Sequence, residues 1–121
     1  MLVLDHVQVA APAGCEEAAR AFYAGLLGLV EIPKPVALAA RGGCWFRVGQ
    51  HELHIGVEQP FRAAAKAHPA FRVGSVESLR QLADRLTSTG ATVVWADPDE
   101  IPGQERFHVS DPFGNRLELL A

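Results

Sequence analysis

Hydrophobic and polar residues alternate at the start of the chain, over residues 2–10. Val7 and Val9 share one face of this segment, and His6 and Gln8 share the other. The pattern then changes to a helical period, with apolar residues three or four positions apart. The apolar stripe consists of Ala18, Ala19, Phe22, Tyr23, Leu26 and Leu27. A strand followed by an amphipathic helix is therefore predicted.

A series of short strands follows Gly28, which is a natural end for the helix. Turn residues separate these strands, beginning with Pro33-Lys34-Pro35. The predicted strands are Val30–Ile32, Ala37–Arg41, Cys44–Val48 and His51–Glu58. In the last of them, Ile55 shares one face with the apolar residues two positions before and after it, while His54 lies on the other face.

The second half repeats this order of elements. His68–Gly74 is predicted as a strand with Phe71 on one face and with His68 and Arg72 on the other. Ser75 can cap a helix whose buried stripe is formed by Leu79, Leu82, Ala83 and Leu86. Three more strands are predicted at Thr92–Ala96, Glu105–Ser110 and Arg116–Leu120.

Turn residues in the segment Asp111–Asn115 join the last two strands into a predicted hairpin. Each half of the chain is interpreted as a βαβββ module, although the first half has four short runs after its helix. Module 1 covers residues 1–58, a connector covers residues 59–67, and module 2 covers residues 68–121. Because a unit this small cannot bury both faces of its sheet, each module needs a partner. We expect the two modules to form a single domain.

Composition narrows the possible functions. A hydrophobic content of 49% supports a packed core, and a net charge of -3 without a basic run argues against nucleic-acid binding. No apolar stretch approaches the roughly 20 residues of a transmembrane helix, and no signal peptide is evident, so we expect a cytoplasmic protein. Cys15 and Cys44 form no C-x-x-C pair and are expected to be free thiols.

Four polar residues occupy equivalent positions in the two modules, each on the face opposite the aliphatic side chains. His6 and His68 lie in the first strands, and His54 and Glu118 lie in the last. With helices over the aliphatic faces, the four side chains would converge on a concave side. Imidazole and carboxylate groups suit Zn²⁺, Ni²⁺, Fe²⁺, Co²⁺ or Mn²⁺. A single strand histidine is more often a hydrogen-bonded polar residue. The remaining histidines (His51, His108) are interpreted as lying on the surface or beside a metal ligand without binding the metal.

The chain resembles the vicinal oxygen chelate superfamily, also called the glyoxalase/bleomycin-resistance/dioxygenase family. The resemblance covers nearly the whole chain. It is carried by Leu4–Val7, Ala21–Tyr23, Leu27–Leu29, Glu52–Ile55, His68–Val73 and Asp111–Glu118. The Asp-Pro-x-Gly-Asn-x-x-Glu ending and the Phe-Tyr-x-x-x-Leu-Gly-Leu helix end are specific for the superfamily, though for no single activity.

This resemblance implies an α+β fold in which two βαβββ modules pair into an open eight-stranded barrel-like sheet with helices outside. It implies one divalent metal ion held by His6, His68 and Glu118, with His54 at a position that is often a fourth ligand, commonly Glu. Members usually form homodimers. In the swapped arrangement, His6 and His54 come from one chain, and His68 and Glu118 come from the other.

The implied function is a metal-dependent enzyme, a lyase, isomerase or transferase, acting on a small oxygenated substrate. The metal would stabilise an enolate or oxyanion, and the proton would be transferred either by Glu118 or by a water molecule on the metal. Candidates for substrate binding share faces with the ligands or line the cavity: Gln8, Trp45, Arg72 and Arg116. Solvated strand ends explain the two arginines equally well, and core packing explains the tryptophan.

Two other functions remain open. The first is a metal-free dimer that binds antibiotics, as bleomycin-resistance proteins do, and the second is an extradiol-type dioxygenase using Fe²⁺. At two positions this chain differs from particular branches of the superfamily. His54 replaces the second carboxylate of glyoxalase I, and Gln8 stands where fosfomycin-resistance transferases carry Thr.

Overall fold

The computed structural model describes residues 1–121 and divides into two compact units, Met1–Ala63 and Ala64–Ala121. The boundary lies within the predicted connector. Each unit contains one four-stranded mixed sheet. The fold is therefore α+β, and the predicted order of one strand, one main helical segment and three strands is confirmed in each unit. The pairing of the modules into an open barrel-like sheet stays a prediction.

The first unit has the sheet order β1-β4-β3-β2. Its strands are β1 (His6–Ala11), β2 (Val30–Ile32), β3 (Cys44–Val48) and β4 (His51–Val57). β1 runs parallel to β4, and the other neighbours are antiparallel. Leu53 and Ile55 are buried on one face of β4. His54 therefore lies on the opposite face, together with the residues paired with it, Gln8 on β1 and Trp45 on β3.

The predicted first helix forms, but its second half has wider turns. Helix α1 (Glu16–Ala19) continues as a π-helix over Arg20–Leu26, in which the Leu27 amide donates to the Phe22 carbonyl at 2.9 Å. Phe22 and Tyr23 pack into the core, as the apolar stripe predicts. Gly28 follows with φ at 77°, which a residue with a Cβ rarely adopts.

Two strand predictions are wrong in part. Residues Ala37–Arg41 do not form a strand, because Val36–Ala39 forms a short helix, α2, directly after Pro35. The run of Ala and Leu favours helix locally, and no strand partner overrides this preference. The strand predicted at His68–Gly74 covers only Ala70–Arg72. Pro69 lacks an amide hydrogen, so regular pairing begins after it.

The second unit has the sheet order β5-β8-β7-β6. Its strands are β5 (Ala70–Arg72), β6 (Val93–Trp95), β7 (Arg106–Ser110) and β8 (Arg116–Leu120). Helix α3 (Val76–Ser88) begins at Ser75, whose hydroxyl accepts a hydrogen bond from the Ser78 amide at 3.1 Å. The predicted apolar stripe of α3 is buried. No helix of the chain is both long enough and apolar enough to cross a bilayer.

The hairpin between β7 and β8 is closed by buried side chains of its own turn. Asp111 Oδ1 accepts hydrogen bonds from the amides of Phe113 and Asn115, at 2.9 and 2.8 Å. Asp111 Oδ2 accepts from Asn115 Nδ2 at 2.9 Å, and Asn115 Oδ1 accepts from the Ala64 amide at 3.0 Å. The turn residues thus determine the pairing register of the last two strands.

Both cysteines are free thiols, as predicted, and both are buried. Burial, together with the nearby carboxylate of Glu31, raises the pKa of Cys44 to about 11. This thiol therefore stays protonated at neutral pH, which suits a packing role in β3 rather than nucleophilic chemistry.

Candidate metal centre

The register of the second sheet brings three potential metal ligands together. Glu118 on β8 pairs with His108 on β7. His68 precedes β5, and the carbonyl of the next residue, Pro69, accepts from the Glu118 amide at 3.1 Å. His68 Nε2 lies 2.9 Å from Glu118 Oε2, and His108 Nε2 lies 3.5 Å from the same oxygen. One ligand atom from each of the three residues lies within 4.8 Å of the others.

Both ring nitrogens of His68 face oxygen atoms. Nδ1 lies 2.9 Å from the Lys66 carbonyl, and Nε2 lies 2.9 Å from Glu118 Oε2. A carbonyl and a carboxylate can only accept, so a neutral imidazole that donates from Nδ1 turns a lone pair towards the carboxylate. The contact at Nε2 then requires a cation, either a proton or a metal ion, between the two atoms.

The distances in this cluster fit a first-row divalent ion. Two ligands about 2.1 Å from one ion, at angles of about 90 to 109°, lie about 3.0 to 3.4 Å apart. The separation of 2.9 Å between His68 Nε2 and Glu118 Oε2 is close to these values. The carbonyl bound to His68 Nδ1 is also the usual outer partner of a metal-binding histidine, because it fixes the tautomer. The donor set therefore fits the ion that the resemblance implies.

Glu118 is buried but remains an anion. Burial opposes its charge and raises its pKa, but the hydrogen bond with His68 and the attraction of His108 and Arg106 outweigh burial, so its pKa lies below the ordinary value. Arg106 Nη1 is 3.5 Å from Glu118 Oε1, and its Nη2 binds Glu100.

Burial, followed by repulsion from Arg116, lowers the pKa of His108. His108 is therefore neutral at neutral pH and keeps a lone pair.

The other two predicted ligands lie in the first unit and stack on each other. The ring centroids of His6 and His54 are 4.2 Å apart with an interplanar angle of 16°. On its other side, His54 stacks on Trp45 at 3.7 Å and 2°. His6 Nδ1 is 2.7 Å from Asp5 Oδ1, and His54 Nε2 is 2.9 Å from Glu52 Oε1. Metal binding by these two residues stays a prediction.

Two residues of the cluster in the second unit were not among the predicted site residues. His108 was interpreted as lying on the surface or beside a metal ligand, and Arg106 was not considered. Counting outward from the Asp111–Asn115 turn would have identified His108, because the pairing of Ser110 with Arg116 places His108 opposite Glu118. Arg106 has no comparable signal in the sequence, because its contact depends on the conformation of a long side chain.

The predicted substrate-binding residues lie in different places. Gln8 and Trp45 line one cavity of about 220 Å³ in the first unit, together with Lys34 and Arg41. Arg116 lines a cavity of about 400 Å³ in the second unit. The wall of the larger cavity includes His108, Ser110 and Thr92. Arg72 is exposed on β5.

Comparisons with known proteins agree on one family. The model of the Glyoxalase/Bleomycin resistance protein/Dioxygenase superfamily matches residues 4–119. A crystal structure of a glyoxalase family protein from Bacillus anthracis is 52% identical, with a TM-score of 0.90, over 99% of this chain and 94% of that chain. The comparison with curated proteins found no match.

Two more distant structures show the same fold. Lactoylglutathione lyase from Agrobacterium tumefaciens is 19% identical, with a TM-score of 0.76, over 99% of this chain and 93% of that chain. The fosfomycin resistance protein FosX from Listeria monocytogenes is 16% identical, with a TM-score of 0.76, over 100% of this chain and 91% of that chain. At these identities the similarity concerns the fold alone.

Proposed function

The chain belongs to the glyoxalase/bleomycin resistance protein/dioxygenase superfamily, and from this premise we propose that it is a metal-dependent enzyme acting on a small oxygenated substrate. The reaction is of the lyase, isomerase or transferase type. The observation that carries the proposal is the contact between His68 Nε2 and Glu118 Oε2 at 2.9 Å, with Nδ1 of the same ring directed at the Lys66 carbonyl. A lone pair and an anion in contact form a site for a cation.

His68 and Glu118 are the proposed ligands in the second unit. When bound, a divalent ion would supply Lewis-acid stabilisation of an enolate or oxyanion. Glu118, with its lowered pKa, is suited to be an anionic ligand and is a weak proton acceptor at neutral pH. Proton acceptance is therefore assigned to His108, which burial keeps neutral and which lines the larger cavity.

The same cavity favours a substrate with an anionic group. Arg116 supplies a positive charge, and Ser110 and Thr92 add hydroxyl groups that can donate or accept hydrogen bonds. A substrate that binds Arg116 through a carboxylate or a phosphate-like group would present its other oxygens beside His108. In the first unit, Gln8 and Trp45 remain proposed contacts of the substrate.

Homodimer formation is part of the proposal, with His6 of one chain completing the ligand set of His68 and Glu118 of the other, and with His54 stacked on His6 in the same chain. Co-expression of His6→Ala and Glu118→Ala chains tests it. If the chains pair at random, about half of the dimers contain one chain of each variant. Such a hybrid dimer has one site that lacks both His6 and Glu118 and one site that is intact. The mixture should therefore bind about one quarter of the wild-type amount of metal. Each variant alone should bind almost none. A mixture that binds no more metal than the separate variants would contradict site sharing.

Elemental analysis of purified protein tests the metal itself. After mild chelation and re-addition of Ni²⁺, Zn²⁺, Fe²⁺ or Mn²⁺, we expect about one ion per chain, because one set of His and Glu ligands is proposed for each chain. Binding of one ion would justify a substrate screen. Absence of binding under every condition would instead favour a metal-free dimer that binds antibiotics, and Fe²⁺-dependent oxygen uptake with catechols would favour a dioxygenase.

A further inference from the structure

We propose that His54 is a positioning residue that holds the ring of His6 and does not bind the same metal ion as His6. This inference rests on the proposed function in one respect, the role of His6 as a ligand. It departs from the prediction that His54 is a fourth ligand, and three observations in the first unit carry it.

The first observation is the stacking geometry. An imidazole binds a metal in the plane of its ring, along the lone pair of one nitrogen, about 2.1 Å from that atom. The rings of His6 and His54 are stacked with centroids 4.2 Å apart and planes inclined by only 16°. Two planes so close to parallel meet on the order of 10 Å away, far beyond the reach of a metal–nitrogen bond. One ion cannot lie in both planes.

The second observation is how His54 is held. Its ring lies between His6 and Trp45, and the Trp45 contact is almost parallel, at 3.7 Å and 2°. His54 Nε2 is 2.9 Å from Glu52 Oε1, and Arg47 Nη2 lies 3.8 Å from the other oxygen of that carboxylate. The side chain of His54 is only 6% exposed. The ring of His54 is therefore buried between two aromatic rings and held in a defined orientation.

The third observation is the different surroundings of His6. Its side chain is 45% exposed, and its Nδ1 lies 2.7 Å from Asp5 Oδ1. A carboxylate at Nδ1 favours the tautomer with the proton on Nδ1 and the lone pair on Nε2, the arrangement typical of metal-binding histidines. Asp5 thus selects the nitrogen that would bind metal, and the ring of His54 determines the plane in which that nitrogen points.

The experiment compares His54→Phe with His54→Ala. Phenylalanine keeps an aromatic ring between His6 and Trp45 but removes both nitrogens, whereas alanine removes the ring. We expect Ni²⁺ or Co²⁺ affinity within about 3-fold of wild type for His54→Phe and about 10-fold or more weaker for His54→Ala. The visible spectrum of bound Co²⁺, which reports the ligand set, should be the same in His54→Phe and wild type. Equal loss of affinity in the two variants, with a changed Co²⁺ spectrum, would overturn the inference.

A measurement without metal separates this inference from the proposed function. The ¹⁵N chemical shifts of His6 report its tautomer and the surroundings of its ring. We expect them to stay near wild type in His54→Phe and to change in His54→Ala. His6 shifts unaffected by His54→Ala would show that His54 does not position the ring, whether or not the protein binds metal. Failure of wild type to bind metal would contradict the proposed function, while these shifts would still decide the role of His54.

Discussion

The variants His68→Ala and Glu118→Gln should each lower metal affinity by roughly 100-fold or more. Each removes one of the two second-unit ligands, and Glu118→Gln also removes the negative charge that attracts the ion. Glutamine has nearly the same shape, and its side-chain amide nitrogen can donate a hydrogen bond to the lone pair of His68 Nε2. The β7–β8 hairpin should therefore keep its pairing. Isothermal titration with Ni²⁺ or Zn²⁺ measures the affinity, and circular dichroism checks the fold.

Two matched substitutions serve as controls for these variants. Glu105→Gln changes a carboxylate of the same unit that binds Arg80 at 2.6 Å, and His51→Ala removes a histidine outside the cluster. Both controls should bind metal as wild type does. If His68→Ala and Glu118→Gln also bound metal like the controls, the assignment of the ligands would be wrong.

The variant Asp111→Ala should lower the free energy of unfolding by about 3 kcal/mol or more. Asp111 is 5% exposed, and its carboxylate accepts from two backbone amides and from the side chain of Asn115. Removing the carboxylate leaves these donors unsatisfied, and each buried unsatisfied donor costs about 1 to 3 kcal/mol. Because the turn holds β8 beside β7, the loss should also loosen the pairing of Glu118 with His108. Urea unfolding followed by circular dichroism measures the effect.

The matched control is Asp97→Ala, since both aspartates precede a proline. Asp97 is exposed, and one backbone amide, that of Asp99, donates to it at 2.9 Å. The control should change stability by less than about 1 kcal/mol, because water can replace a lost bond at the surface. Equal destabilisation by the two substitutions would show that the buried network of Asp111 does not stabilise the turn.

Local patterns predicted most of the secondary structure. The period of apolar residues identified the stripe of α3, and turn chemistry identified the β7–β8 hairpin. The predictions failed where local signals compete. The segment Ala37–Arg41 has a composition compatible with helix or strand, and only the absence of a pairing partner selects the helix α2. The wider π turns over Arg20–Leu26 give no periodic signal of their own.

The candidate site shows the same division. Alternation alone places His6, His54 and Glu118 on the faces opposite the aliphatic side chains, because side chains on a strand alternate between two faces. The direction of each ring nitrogen depends on atoms far away in the chain. His68 reaches Glu118 across 50 residues, and the stack of His6 on His54 needs two strands paired in parallel. The alternation of polar and apolar residues is enough to predict which side chains share a face, because the face depends on the period of the strand. Which lone pairs converge depends on strand register and side-chain rotamers, and these are set by the folded chain.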